Sequence, residues 1–219
     1  MPLDPRGRIV PRATPAGVDA ANANFTVREG ARHDLGSMAD NLEAGFISYK
    51  SWADATWEPP SRVEMLLGMM QRFQHDGSWC FVGFADGEPA GHVTSRPEVD
   101  EQDAPRPGVA RLTHLFLRRD YWGSGLADIL YQTMLESMLE REYTSGVLWT
   151  PTGAGRARAF YARRGWEPTG GIEPADNGLG LELMEYALEL PTSAETPGTE
   201  DAAAENAAAE DPPDEKTSG

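Results

Sequence analysis

Residues 118–127 read Arg-Arg-Asp-Tyr-Trp-Gly-Ser-Gly-Leu-Ala, between the apolar run RLTHLFL and the helix-spaced segment DILYQTMLESMLE. A glycine-rich turn that opens a helix leaves the first backbone N–H groups without acceptors and pointing outward. The helix dipole adds partial positive charge at the same place, so the turn suits a phosphate. Gly123 and Gly125 let the main chain approach an anion with no Cβ between them. Ser124 adds a hydroxyl donor, and Ala127 keeps the first helical turn slim. Two phosphate loops are excluded, because neither Gly-Lys-Ser/Thr nor the three-glycine dinucleotide fingerprint occurs. Taken alone, G-x-G is also the mark of an ordinary strand-to-helix turn.

A second segment, GAGRARAFYARRGWEP at residues 153–168, follows after another apolar stretch, SGVLWT. Together the two segments resemble the GNAT superfamily of acyl-CoA N-acyltransferases. The acyl-CoA motif of that family, Gln/Arg-x-x-Gly-x-Gly/Ala after a strand, falls on Trp122, Gly123, Ser124, Gly125, Leu126 and Ala127. Trp122 departs from the commonest first residue. The second motif, Asn-x-x-Ala-x-x-Phe-Tyr-x-x-x-Gly-Phe, falls on Ala154 to Trp166, with Ala154 in place of the asparagine. The resemblance covers residues 25–190 and is strongest over 109–168.

The resemblance implies a mixed, mostly antiparallel central sheet with flanking helices. It also implies direct transfer of an acetyl group from acetyl-CoA to a primary amine of a small molecule or peptide, without a covalent acyl-enzyme or a metal. Tyr161 matches the family's general acid, which protonates the departing thiolate; its bland reading is an amphipathic residue between helix and sheet. Leu115, Phe116 and Leu117 match the strand whose backbone meets the pantetheine arm and polarises the thioester carbonyl. A rival reading of the same fold is a non-catalytic acyl-CoA-binding sensor or regulatory module.

The general base is open. Ala110 to His114 contain no carboxylate, which leaves His114 as a candidate and His92 on the preceding strand as another. Strict alternation puts His114 opposite Thr113, and a single bulge would reverse that. For each histidine the reading as a satisfied structural residue stands first. Trp52, Trp57 and Pro59-Pro60 fall where the family's acceptor site is closed. There the aromatic residues bracket an organic amine or simply pack a loop on the sheet. Arg111, if it faces inward, argues against a purely cationic acceptor site. Arg118, Arg119, Arg156, Arg158, Arg163 and Arg164 divide between contacts to CoA phosphates and a solvated helix face. Cys80 lies on an apolar strand and reads as core rather than nucleophile.

The elements that must hold these residues alternate. FTVREG reads as a strand, and His33 to Ser51 has helical spacing. Ser61 stands three residues before Glu64, a capping box ahead of an apolar face. WCFVGFAD and EPAGHVTSR flank Asp86-Gly87 as a hairpin, and PEVDEQDAPRPG reads as a polar linker. VARLTHLFL is a buried strand, with a helix to about Glu142 after the glycine turn. SGVLWT, WEPTGG and LELMEYALEL are strands, and RARAFYARR is a helix capped by Gly165. The fold class is α/β (α+β), one domain over residues 25–190. Residues 1–24 and the acidic tail 191–219 are expected to be disordered.

The formal net charge of −16 is partly the tail's. From Pro191 onward there are eight acidic residues against Lys216, which leaves −9 for residues 1–190. That balance argues against nucleic acid or an anionic membrane as partner. One cysteine allows no internal disulfide, and no apolar run reaches membrane-spanning length. Cytoplasm is the default location, and the chain is expected to be a monomer or a homodimer.

Overall fold

The computed structural model describes residues 23–74 and 77–191. The expected disordered segments therefore lie outside the described residues, apart from Ala23, Asn24 and Pro191. Strand β1 is Phe25–Glu29, and helices α1 and α2 are Leu35–Tyr49 and Arg62–Arg72. β2 (Trp79–Ala85) and β3 (Glu88–Val99) form the hairpin, with Asp86 and Gly87 both at positive φ in its turn. β4 (Pro105–Leu117), α3 (Leu126–Glu140), β5 (Ser145–Pro151), α4 (Gly155–Ala162), β6 (Glu167–Glu173) and β7 (Leu183–Glu189) follow. The α2 start carries the capping box: Ser61 Oγ accepts from the Glu64 N–H while the Glu64 carboxylate accepts from the Ser61 N–H. Among the described residues, the seven strands make one sheet in the order β1-β2-β3-β4-β5-β7-β6. All neighbours are antiparallel except β4 and β5. That parallel pair needs a crossover, which α3 supplies.

The stretch read as a linker is largely strand. β3 and β4 stay paired out to Val99 and Pro105, and only residues 100–104 turn. Asp100 makes this turn by accepting the N–H groups of Gln102 and Ala104 on its carboxylate. The prolines sit near strand ends, where a missing N–H costs little.

Strand alternation divides the core between two faces. On one, Leu126, Leu130, Met134 and Met138 of α3 pack against Val93, Ala110, Leu112 and Leu148, together with Tyr161 and Trp166. On the other, Met38 and Leu42 of α1 and Met65 and Met69 of α2 cover Cys80 and Val82. Cys80 is a buried free thiol, pushed up to about 12 chiefly by burial, so it is an inert core residue at ordinary pH.

One irregularity positions everything that follows. Thr94 pairs with His114 but Ser95 pairs with Leu112, so Thr113 is an extra residue, a bulge in β4. Ala110 and Leu112 face the α3 side. Beyond the bulge the phase inverts: Leu115 and Leu117 face α3, while His114 and Phe116 turn towards α1 and α2. The parallel ladder stops at the same point, since β4 pairs with β5 only from Val109 to Leu112. From Thr113 to Leu117 the β5-facing edge of β4 has no strand beside it, and a cleft opens there.

Candidate active site

The glycine turn sits at the head of α3, immediately beyond the parted end of β4. Gly123 and Gly125 hold φ of +82° and +93°, a conformation that other residues adopt only under strain. Within the turn, the Trp122 N–H donates to Arg119 O, the Ser124 N–H to Tyr121 O, and the Leu126 N–H to Ser124 Oγ. The N–H groups of Gly123, Gly125 and Ala127 have no internal acceptor among the described residues. A Cβ at position 123 or 125 would meet nothing within 4 Å. The turn is thus an open nest of amides, and every helical residue behind it adds to its partial positive charge. Trp122 donates its indole N–H to Leu117 O and lies between two guanidiniums, Arg119 at 5.9 Å and Arg156 at 4.6 Å from its ring. Of the other basic spots, Arg158 turns inward to Thr152 O and Arg164 pairs with Asp128.

The cleft between β4 and β5 encloses about 460 Å³. Leu115 and Phe116 form its sheet wall, with Tyr161 of α4 and Tyr49 of α1 among the side chains around it. Tyr161 is buried, and burial, with smaller contributions from Tyr49 and Tyr131, holds its phenol well above the ordinary tyrosine value. Burial alone pushes Tyr49 up to about 12. Both phenols therefore keep their protons at any ordinary pH. Trp52 and Trp57 are not part of the cleft wall. They pack on Tyr49 in tilted geometry, at 4.8 and 6.2 Å between ring centroids. Trp57 is also buried and donates its indole N–H to Leu179 O.

His114 does line the cleft, because the bulge turns it there. Its Nε2 lone pair accepts from the Arg72 guanidinium, so the ring is neutral with its proton on Nδ1. Burial first, then the Arg72 charge, then His92, hold it well below the usual histidine range. While that bond stands, His114 has no free lone pair with which to take a proton from an ammonium. His92 lies outside the cleft, fully buried and stacked on Phe116, and burial lowers it to about 3. Neither histidine has the environment of a general base near neutral pH.

Sequence reasoning missed other members of the wall. Arg72 and Arg96 reach the cleft beside Arg111, and Glu64, Glu173 and Asn177 line it as well. Arg72 ends α2 and Arg96 lies within β3, and neither belongs to a sequence motif. Only the register, which sets Arg96 opposite Arg111 across β3 and β4, brings them together. Glu64 spends its carboxylate on the Ser61 N–H and Oγ, whereas Glu173 has no internal partner among the described residues.

The GNAT acetyltransferase family model matches residues 46–166, which span the cleft and the glycine turn. The chain belongs to the GNAT family. No curated protein sequence matches it significantly. Among solved structures, it is similar to a GNAT-family protein from Desulfovibrio desulfuricans at 16% identity and TM-score 0.61, covering 77% of this chain and all of that one. It is also similar to the PaiA N-acetyltransferase of Thermoplasma acidophilum in complex with coenzyme A, at 14% identity and TM-score 0.54, over 74% of this chain and 98% of that one. The ribosomal-protein-S18-alanine N-acetyltransferase of Escherichia coli matches at 16% identity and TM-score 0.55, over 80% and 99%. Identities this low carry the GNAT fold and nothing finer. Among the described residues no group of side chains could hold a metal ion, and no helix is long and apolar enough to cross a membrane.

Proposed function

We propose that the protein is an N-acetyltransferase that moves the acetyl group of acetyl-CoA directly to a primary amine of a small molecule or peptide. The observation that carries this reading is the set of three acceptor-free amides, Gly123, Gly125 and Ala127, at the mouth of the gap where β4 leaves β5. The nest fits a diphosphate, and the open edge of β4 from Thr113 to Leu117 fits an extended arm bearing amides. The PaiA structure in complex with coenzyme A shows that the fold accepts this molecule. Acetyl-CoA, when bound, supplies an activated thioester.

Trp122, Ser124 and Leu126 shape the turn and aim the free amides, while backbone groups of Leu115, Phe116 and Leu117 meet the arm and the thioester carbonyl. The attacking amine must be neutral. Glu173, the cleft carboxylate without an internal partner, takes its proton directly or through water. As the nitrogen bonds to the acetyl carbon, the carbon–sulfur bond breaks with its electron pair on sulfur. Tyr161 protonates that sulfur, burial keeping the phenol protonated until then, and the second proton of the attacking nitrogen, released as the amide forms, restores the phenol. The catalytic unit is residues 25–190. Its compartment is the cytoplasm, consistent with the single buried, unpaired thiol.

The test is calorimetry with acetyl-CoA, followed by a screen of polyamines, aminoglycosides, amino acids and short peptides for release of free CoA thiol. Binding together with turnover of an amine supports the proposal. Absence of binding sinks it, and binding without turnover of any amine returns the sensor reading.

A further inference from the structure

Three arginines line the cleft of a domain that is otherwise acidic. Arg111 is neutralised, since Glu98, 3% exposed, accepts from its Nε and, at 2.6 Å, from its Nη2. Arg72 and Arg96 have no carboxylate partner among the described residues. Arg72 donates to His114 Nε2, and Arg96 donates to Pro97 O at 3.2 Å. Burial lowers both below the ordinary guanidinium value; Arg96 adds to this at Arg72 and Arg111 at Arg96, while Glu98 and Asp103 oppose it at Arg96. Arg72 and Arg96 thus face one cleft with no ion pair of their own among the described residues, an arrangement that favours an anion between them.

A second, smaller cavity of about 30 Å³ lies against the first and shares Arg72, Arg96, Thr113 and His114 with it. Four of its lining residues carry a buried polar side-chain atom without a partner: Ser78 Oγ, Trp79 Nε1, Ser95 Oγ and His114 Nδ1. Eight such atoms occur among the described residues, so half of them gather at this one place. An indole N–H only donates, and His114 Nδ1 must also donate once Nε2 accepts from Arg72. Hydroxyls donate freely. Two of the four, Trp79 Nε1 and His114 Nδ1, can only donate, so the place suits an acceptor better than a cation. A single water would fit the volume but would leave the two guanidiniums unneutralised.

We propose that Arg72 and Arg96 receive an anionic group of the acceptor, and that the substrate class is a small primary amine that also carries a carboxylate. This rests on the acetyl-transfer reading above and names its substrate. The placement suits an amino acid: Arg72 is bonded to His114, the residue immediately before Leu115, where the open edge of β4 meets the thioester. An amine a few bonds from a carboxylate seated there reaches the reacting carbon without a long spacer. Bidentate guanidinium–carboxylate pairing gives the orientation that the reaction needs.

The experiment compares matched sets, each an α-amino acid, its carboxamide and the corresponding decarboxylated amine, by release of free CoA thiol. Acetyl-CoA binding is measured in parallel by calorimetry. The expected result is a kcat/KM for the acid about 10- to 100-fold above that for the carboxamide. Arg96→Gln should bring that ratio towards one while acetyl-CoA affinity holds, and Arg72→Gln is the second variant should the first fail to fold. The inference is overturned if carboxamides or simple amines are preferred throughout, or if Arg96→Gln and Arg72→Gln both leave the ratio intact. Turnover of no carboxylate-bearing amine by a protein that binds acetyl-CoA overturns it as well. Loss of acetyl-CoA binding in the wild type instead overturns the acetyl-transfer reading beneath it.

Discussion

Gly45 of α1 lies against the ring of Phe116 on β4, with no room for a Cβ between them. This close approach seats α1 on the segment of β4 that has parted from β5, and so sets one wall of the cleft. Gly45→Ala should push the Phe116 ring aside at a cost of about 1–3 kcal/mol. Urea denaturation should show the loss, and KM for the amine should rise with it. A fully stable Gly45→Ala would show that the helix is free to back away.

The turn at residues 122–127 offers a cleaner separation of binding from folding. Gly123→Ala and Gly125→Ala each force a Cβ into a left-handed conformation, worth about 1–2 kcal/mol of strain. The added methyl also projects into open space over the free amides. Acetyl-CoA affinity, read by calorimetry, should fall more steeply than thermal stability in both variants. Equal affinity would remove the diphosphate from this nest.

Tyr161→Phe removes the proton donor and leaves the ring that packs on Phe160 and Trp166. Turnover should fall about 10²- to 10⁴-fold, with acetyl-CoA binding retained. Unchanged kcat would assign the sulfur's proton to another donor, such as Tyr49, the other phenol on the wall.

Acid should destabilise the fold before its carboxylates titrate. His92 is held at about 3 and His114 well below 6.5, whereas both titrate near 6.5 when unfolded. The unfolded chain then binds more protons, so stability is full above about pH 6.5 and declines as pH falls. Each buried histidine contributes a slope of about 1.4 kcal/mol per pH unit. Chemical denaturation between pH 7 and 5 should show this, and His92→Leu should make the slope shallower. A flat profile over that range would mean that both rings take up protons in the native state as readily as in the unfolded chain.

The elements were legible because each carried its own local signal. Ser61 and Glu64 mark the start of α2, Asp86-Gly87 marks the hairpin, and the apolar periods place α1, α3 and β4 to within a few residues. The site was legible only where a motif is contiguous, at Trp122–Ala127 and around Tyr161. What escaped depends on register. His114 enters the cleft because Thr113 is bulged, and no residue type announces that bulge. Arg96 and Arg111 meet through strand pairing, and Arg72 joins them from a helix end far back in the chain. Pro97 and Pro105 suggested a linker because proline signals a break, yet at strand ends it is tolerated.

The indole of Trp57 donates to the carbonyl of Leu179, 122 residues further along the chain. That bond pins the α1–α2 connection to the β6–β7 connection, so the two form one roof. The two spans are therefore tied as one piece, not left as two independent flaps. Cutting that bond, as Trp57→Phe would, frees each span from the other.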